Sequence, residues 1–567
     1  MGMWRRGRST PSVIMAVATA LWVNLPAGAA PGTPAAGDRT VVIFAQQEPP
    51  CLNPMADSCA NVVASMIGST IFDDVVGQDN DWKYQPELAE KIPTLADGDW
   101  KLLAGNTMRV TWKLRRGYTW HDGTPVTAED WIWGWRVNMH ADFPTADRDV
   151  ARRVESITAP DPYTLIVQWK ERYAFANLGV AGSSPLPKRA TEPIFRENPA
   201  RFDQNWATGA PTVGNGPYVL KEWQKGSSIT VEAYPDWKGT PFLPAHPAIT
   251  RIVFRFLSDT NTIIANVLSG EADATDETAI PFLQGLELEK RLANERRSDI
   301  ALVAQPGLSW EHIDMNMDNP LLKDVRVRQA LIYAINREDL VQELFEGKQP
   351  VSHTFLPSKH YGFYGGVKKY PFDPTRATRL LTEAGYTPGA DGIMEKDGRR
   401  LSLAFTTTAG NRTREQVQQI LQKMWNSAGI EVKIQNQPAR ALFGDTMPNR
   451  RFDLAMYAWT MAPFADCESL YTASAIPTPQ HREGQNYPGY RNAEVTKLCH
   501  TIPQELDEAA RRKMLQRVQE LWAEDLPAIP LYLRSEYTSH KAGLHNWKPT
   551  GSLTPVTWNV TTWRWAL

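Results

Sequence analysis

The sequence predicts an α/β protein of two or more lobes with mixed sheets. Its 567 residues are too many for one hydrophobic core, and 42% hydrophobic with 22% charged side chains is typical of a globular chain. Strand and helix patterns alternate along the chain at the spacing of βαβ units. The predicted strands are Thr40–Phe44, Met108–Leu114, Tyr163–Trp169, Tyr218–Leu220, Ser228–Ala233, Ile249–Leu257 and Ile430–Ile434. The predicted helices are Asn261–Leu268, two capped by Asp324 and Asn336, one opened by Asp373-Pro374, and Glu415–Ala428.

A His-Asp pair, His121-Asp122, stands between the strand at Met108–Leu114 and a run of tryptophans. Thr127 and Asp130 form a variant of the capping box, which predicts that a helix begins there. A catalytic site would need a third partner and a nucleophile, and the surrounding sequence offers neither. We therefore predict that the pair belongs to a turn that joins a strand to a helix.

The N-terminus has the pattern of a secretory signal peptide, predicted over residues 1–29. Three arginines precede a short apolar run at Val13–Leu25 and an A-x-A cleavage site at Ala27–Ala29. Residues 30–39 are predicted to be a flexible leader. A lipid anchor is not expected, because there is no cysteine near the cleavage point. Loss of the three arginines changes the net charge from −2 to about −5, so no basic nucleic-acid footprint is expected. The mature chain is expected to be exported, to a periplasm or the cell exterior.

The chain has four cysteines, which allow three disulfide connectivities. Export favours oxidation. We predict the local pairing, Cys51 with Cys59 and Cys467 with Cys499. No C-x-x-C motif occurs and the ten histidines have no ligand spacing, so neither a metal nor a cofactor is expected.

Seven blocks follow one another in the order known from one protein family. The sequence of these blocks resembles the extracellular solute-binding proteins of family 5, which are oligopeptide, dipeptide and nickel receptors of ABC importers. The blocks are TWKLRRGYTWHDGTPVTAEDW at 111–131, GNGPYVLKEW at 214–223, SGEADATDE at 269–277, DVRVRQALIYAINREDLV at 324–341, FDPTRATRLLTEAGY at 372–386, FDLAMYAW at 452–459 and LPAIPLYLRSEY at 526–537.

The resemblance implies a periplasmic-binding-protein-like fold of type II, in its large variant with an inserted subdomain. Two α/β lobes joined by paired crossovers would close on a ligand. The expected bounds are 40–62, 206–307 and 536–567 for lobe I, 63–205 for the inserted subdomain, and 308–535 for lobe II.

The resemblance also implies a ligand site, and one position departs from it. Peptide-binding members anchor the ligand's N-terminal ammonium on an aspartate three residues after a tryptophan that matches Trp459. The corresponding residue here is Ala462. Either Asp466 or Glu468 takes over the anchor, because a carboxylate forms charge-assisted hydrogen bonds with an ammonium, or a free N-terminus is not recognised.

Four further positions are expected at the site by the same resemblance. Arg440 replaces an aromatic residue and either pairs with a ligand carboxylate or is a solvated arginine. Trp310 either flanks the ligand or belongs to the core. Asn61 is expected to face the cleft, and Met461 to help leave a roomy, apolar pocket.

The expected function is capture of oligopeptides for an ABC permease and ATPase, by a monomer without catalytic activity. The main alternative keeps the fold and changes the ligand to an oligosaccharide, a metal chelate, a siderophore or a secondary-metabolite intermediate, as in clavulanic acid biosynthesis. A secreted glycosidase would need two carboxylates facing each other across a cleft, and no motif in the sequence supports one.

If Asp466 replaces the missing anchor, Asp466→Ala should lower the affinity for peptides with a free N-terminus. Loss of a charge-assisted hydrogen bond predicts a drop of about tenfold or more, measurable by isothermal titration calorimetry. Asp466→Asn, which keeps the shape and removes the charge, is the matched variant. Unchanged affinity in both variants would exclude Asp466 as the anchor.

Overall fold

The structure, a computed structural model, describes residues 40–59, 61–145, 148–461, 467–478 and 484–566. The expected signal peptide and leader therefore lie outside the described residues. Within the described ranges, no helix combines the length and apolar character needed to cross a membrane.

The strands are numbered in chain order: β1 (Thr40–Ala45), β2 (Val76–Gln78), β3 (Tyr84–Pro86), β4 (Trp100–Leu102), β5 (Met108–Lys113), β6 (Val154–Asp161), β7 (Thr164–Trp169), β8 (Tyr218–Gln224), β9 (Ser228–Ala233), β10 (Arg251–Phe256), β11 (Ala274–Thr275), β12 (Ile300–Met315), β13 (Thr387–Pro388), β14 (Met394–Lys396), β15 (Arg399–Arg400), β16 (Ser402–Thr406), β17 (Glu431–Ile434), β18 (Leu454–Thr460), β19 (Ala528–Lys541), β20 (Leu544–His545) and β21 (Arg564–Trp565).

The α-helices are numbered in the same way: α1 (Val62–Ile71), α2 (Ala128–Met139), α3 (Asp149–Arg152), α4 (Lys188–Glu197), α5 (Phe202–Asn205), α6 (Thr260–Ser269), α7 (Phe282–Asn294), α8 (Val325–Tyr333), α9 (Arg337–Phe345), α10 (Pro374–Glu383), α11 (Arg412–Ser427), α12 (Ala439–Ala441), α13 (Glu468–Tyr471), α14 (Ala493–Thr501) and α15 (Glu508–Asp525).

The predicted helix caps are present. The side chains of Asp324, Asn336 and Asp373 each accept a backbone N–H at the start of α8, α9 and α10. Helix α11 begins three residues earlier than predicted, at Arg412, because the side chain of Asn411 accepts the Arg414 N–H and caps it there.

One ten-stranded mixed sheet runs through the molecule, in the order β17-β16-β18-β12-β19-β11-β1-β10-β9-β8. The sequence prediction anticipated mixed sheets but not that the connecting strands would join them into one. Strands β12 and β19, here named the crossover pair, are antiparallel neighbours over most of their 16 and 14 residues. The first half of the sheet is β1 with β8–β11, and the second half is β16–β18.

Separate hydrophobic clusters lie under the two halves. One cluster combines β1, β8, β9 and β10 with α1. Another combines β16, β17 and β18 with α8–α11. A third cluster belongs to an antiparallel sheet of order β4-β5-β7-β6, which packs with α2. The crossover pair is therefore the part of the sheet that the two halves share.

His121 occupies the predicted link between β5 and α2, and the structure gives it structural contacts. Its Nδ1 accepts the N–H of Gly214 at 3.2 Å, so Nε2 carries the proton and donates to the carbonyl of Gly216 at 3.0 Å. Burial lowers the pKa of His121 to about 4, which keeps the ring neutral. A Cβ at Gly214 would lie 2.2 Å from the Ile71 carbonyl, so only glycine fits the clamped turn.

Both predicted disulfides, Cys51–Cys59 and Cys467–Cys499, are confirmed. The first closes the loop that leads into α1. The second ties the start of α13 to α14, and Cys467 and Cys499 are both buried.

Three carboxyl groups lie together near the point where α1 leads into β2. Asp73 is buried, and Asp74 and Glu87 are half-buried. Burial raises the pKa of Asp73 to about 7, the charge of Asp74 adds to this, and the Trp237 indole N–H partly offsets it through a 2.7 Å hydrogen bond. Burial likewise raises the pKa of Asp74 and that of Glu87. In the folded protein these carboxyl groups keep their protons to a higher pH than in the unfolded chain, which releases them near pH 4.

Because the folded-state pKa of Asp73 is raised, its contribution to stability falls as the pH rises from about 4 to about 7. Asp73→Asn keeps an acceptor for Trp237 and should raise the free energy of unfolding at pH 8 by about 1–3 kcal/mol. At pH 4 the gain should nearly vanish. Urea unfolding at both pH values measures this, with the exposed Asp236→Asn as control. An equal gain at the two pH values would contradict the assignment.

Candidate ligand-binding site

The carboxyl ends of the parallel strands converge on the middle of the crossover pair from both sides. In the first half β1, β10 and β11 are parallel, and β11 meets β19 with Ala274 opposite His540. In the second half β16 is parallel to β17 and β18, and β18 ends with Thr460 opposite Ser309 of β12. Ligands of open α/β sheets bind outside the carboxyl ends of the strands. The two edges therefore place one candidate site, here named the cleft, at the middle of the crossover pair.

The ladder of the crossover pair is interrupted at this level. The pairing shifts register between Pro306 and Trp310 of β12. Gly551, with φ of 64°, lies against this point, and a Cβ there would come 2.3 Å from the Pro306 carbonyl. Such an irregularity is a place where the two halves can change their angle with few hydrogen bonds to break.

A buried glutamate ties the second half to the crossover pair beside this break. Glu311 is fully buried, and its two carboxylate oxygens bind Arg414 and Arg534, each at 2.6 Å. Burial alone would raise the pKa of Glu311, but the two guanidinium groups hold it below its usual value. Arg414 also donates to the hydroxyl of Thr408 at 2.9 Å, beyond the end of β16. Arg534 is 38% exposed, so one cation of the network remains open to the cleft.

The end of β18 presents an aromatic surface to the cleft. Trp459 is half-buried and stacks on Tyr487, with ring centroids 6.1 Å apart and planes at 14°. The Thr460 hydroxyl is paired with that of Ser309 at 2.8 Å. Aromatic faces of this kind give contact area to a ligand without dictating its side chains.

Part of the backbone edge of β18 lies open. β16 pairs with β18 only up to Thr406 opposite Ala455. The Met456 carbonyl points to that side, where the Thr407 hydroxyl donates to it at 2.7 Å. Because backbone groups alternate along a strand, those of Ala458 and Thr460 face the same side, and no described strand pairs with them there.

The structure brings some of the predicted site residues together. Trp459 is the last residue but one of β18, and Met461 comes directly after the strand, where its N–H donates to the Leu308 carbonyl. Glu468 begins α13, whose Leu470 and Tyr471 share a hydrophobic cluster with Met461. Glu468 also lines a cavity of about 910 Å³ with Asp149 and Arg153, and its carboxylate accepts a hydrogen bond from His500 Nδ1 at 2.7 Å.

Three other predicted residues have different surroundings. Trp310 is fully buried, stacks on His312 at 4.1 Å and contacts Trp522, so its side chain belongs to the core. Asn61 caps α1 by accepting the Ala64 N–H at 2.8 Å. Arg440 is exposed in the short helix α12. The positions of Ala462 and Asp466 lie outside the described residues.

Sequence reasoning missed the Glu311 network and Tyr487. Glu311 is separated along the chain from Arg414 by 103 residues and from Arg534 by 223 residues. The available signal was charge inside apolar strands, in GLSWEHIDMN and LPAIPLYLRSEY. A charged residue in an otherwise apolar strand is expected to form an ion pair or to face a cleft, because an unpaired buried charge is unfavourable.

Comparison with known proteins agrees with this arrangement. Residues 83–476 match the model for bacterial extracellular solute-binding proteins, family 5. The oligopeptide-binding protein AppA of Bacillus subtilis is 27% identical over 446 residues, covering 77% of each chain. Protein XP55 of Streptomyces lividans is 28% identical over 444 residues, covering 76% of this chain and 74% of that protein.

A solved structure extends the likeness to the fold. The oligopeptide binding protein from Thermus thermophilus, complexed with a pentapeptide, superposes with a TM-score of 0.67 and 29% identity. The match covers 93% of this chain and 96% of that one. Fold and cleft together define a two-lobed solute-binding protein, which confirms the predicted fold class. The chain belongs to family 5 of the bacterial extracellular solute-binding proteins.

Glu311→Gln should lower the free energy of unfolding by about 3 kcal/mol or more, because it leaves the buried guanidinium of Arg414 and the partly exposed one of Arg534 without their counter-charge. Urea unfolding measures the loss. The matched control is Glu494→Gln, which removes an exposed pair with Arg517 and should leave the unfolding midpoint nearly unchanged. A loss no larger than that of the control would show that Glu311 does not hold the crossover pair to the second half.

Proposed function

We propose that this protein captures oligopeptides in the cleft and delivers them to the permease and ATPase of an ABC importer. The relatives support a peptide ligand, since AppA is named as an oligopeptide-binding protein and the Thermus protein holds a pentapeptide. The receptor would bind the ligand without changing it chemically. It would act as a monomer and would not bind nucleic acid.

The observation that carries the proposal is the open edge of β18. An extended peptide can pair its own backbone with Ala458 and Thr460, as an added strand does at a free sheet edge. Such pairing recognises any peptide backbone. The Trp459–Tyr487 stack beside it supplies apolar contact area that tolerates different side chains. Arg440, exposed just beyond β17, is a candidate for a ligand carboxylate.

Closure of two lobes on the ligand is part of this proposal. Lobe I would comprise 40–62, 206–307 and 536–567, with 63–205 inserted, and lobe II would comprise 308–535. The register break at Pro306 to Trp310 is the candidate hinge, because fewer ladder hydrogen bonds resist bending there. A peptide that touches both lobes would favour the closed state over the open one.

The location of the protein follows from the same proposal. Residues 1–29 would be removed as a signal peptide, leaving a mature chain outside the cytoplasmic membrane. The importer partners would then meet the receptor at the membrane's outer face.

A thermal-shift assay with pooled peptides of three to five residues tests the proposal. At about 100 times the dissociation constant a ligand adds roughly 2.7 kcal/mol, which a melting curve detects. We expect free peptides to raise the melting temperature. A pool with N-methylated backbone amides should give a smaller shift, because it lacks donors for the β18 edge.

The controls distinguish recognition of the peptide's backbone amides from recognition of its terminal ammonium. N-acetylated peptides keep the backbone donors but lose the terminal ammonium, so a retained shift would mean that a free N-terminus is not required. No shift with any peptide pool would overturn the oligopeptide proposal and direct the search to oligosaccharides, metal chelates, siderophores and pathway intermediates.

A further inference from the structure

Two carboxylates follow the end of β11, on the first-half side of the cleft. They are Asp276 and Glu277. The segment is pinned to β19 at both ends. At one end the Thr275 hydroxyl accepts the Ser539 N–H at 2.8 Å, and at the other Ile280 forms a bridge with Tyr537.

A third carboxylate, Glu536, precedes Tyr537 on β19. Because the segment 275–279 lies beside residues 537–539, Asp276 and Glu277 come close enough to Glu536 for mutual repulsion. Glu536 is solvent-accessible and stands opposite Gln305, just before the register break of the crossover pair. The three acids therefore share the cleft edge of the first half.

These acids have oxygen atoms without partners. Asp276 is only 1% exposed, and its Oδ1 is buried without a hydrogen-bond partner in the described part of the chain, while Oδ2 accepts the Thr278 hydroxyl at 2.8 Å. The Oε1 of Glu277 is also buried without a hydrogen-bond partner among the described residues. Buried acceptors in folded proteins are usually paired, so two unpaired oxygens at one edge point to a missing donor.

The charge balance points the same way. Burial raises the pKa of Asp276 to about 7 and that of Glu277 well above its usual range, and Glu536 adds to both shifts. Arg534 attracts Glu536, but its own hydrogen bonds go to Glu311. Among the described residues, therefore, no cation is hydrogen-bonded to any of the three acids.

We propose that Glu277, with Asp276 and Glu536, binds a cationic nitrogen group of the ligand, either an ammonium or a guanidinium. Both groups carry several N–H donors and can satisfy unpaired carboxylate oxygens on neighbouring residues. A metal ion fits less well, since no set of three His, Cys, Asp or Glu side chains in the described ranges has the arrangement to hold one. This proposal rests on the proposed function and adds a preference to it, for peptides with a positive charge at this subsite.

The test measures peptide affinity by calorimetry for two tripeptide pools. In the first pool each peptide carries one lysine, placed at each of the three positions in turn, and in the second pool norleucine replaces that lysine. Both pools are used free and N-acetylated, which separates a side-chain cation from the terminal ammonium. We expect the wild-type protein to bind cation-bearing peptides about tenfold or more tighter than their neutral counterparts. Glu277→Gln should reduce that preference to less than about twofold while neutral, acetylated norleucine peptides keep their affinity.

Two further variants serve as controls for this test. Glu271→Gln removes the same charge at an exposed position just before β11 and should retain the full preference. Glu536→Gln repeats the test on the other strand, so a folding defect in one variant does not decide the outcome. A wild-type protein without preference, or a full preference in both Glu277→Gln and Glu536→Gln, would overturn the subsite while peptide binding stands.

If no peptide pool binds the wild-type protein, the oligopeptide proposal fails instead. Lysine amide and spermidine then decide the subsite, by calorimetry with the same variants. Saturable binding that Glu277→Gln abolishes would support a cation subsite for another class of ligand, and absence of binding would overturn it.

Discussion

The antiparallel pairing of β12 with β19 is the constraint on which the rest of the molecule depends. Each strand runs between the two halves, and each also pairs with an outer strand, β18 beside β12 and β11 beside β19. Because both halves add their strands to the same pair, ten strands form one sheet while the hydrophobic clusters beneath it stay separate. The strand ends must then meet at the middle of the pair, which is also where its ladder breaks.

Charge is distributed unequally across this middle. On the second-half side, Glu311 is neutralised by Arg414 and Arg534, so burial is compatible with a fully paired network. On the first-half side, Asp276 and Glu277 each retain one buried carboxylate oxygen without a hydrogen-bond partner among the described residues. The charged groups at one edge are therefore paired within the chain, and the carboxylate oxygens at the other edge can accept hydrogen bonds from a ligand. Such an arrangement suits a receptor that must release what it binds, since the ligand replaces missing donors without breaking bonds inside the protein.

The parts of the fold that the sequence predicted are those with local causes. Asp324, Asn336 and Asp373 cap helices through hydrogen bonds to residues two or three positions away. The two disulfides join cysteines 8 and 32 positions apart. Helix α15, with 18 residues, escaped prediction because its buried face includes Arg511 and Gln519, which weaken the apolar periodicity.

By itself the sequence determined the capped helices, the strand at β5 with the turn that follows it, and the local disulfides, each of which depends on residues that are close along the chain. It also determined the order of family blocks. Only the tertiary structure decided that Trp310 packs in the core, that Glu311 lies between two arginines, and that Glu277 meets Glu536 at the cleft. Burial and ion pairing depend on segments hundreds of residues apart, and the pairing of β12 with β19 brings those segments together.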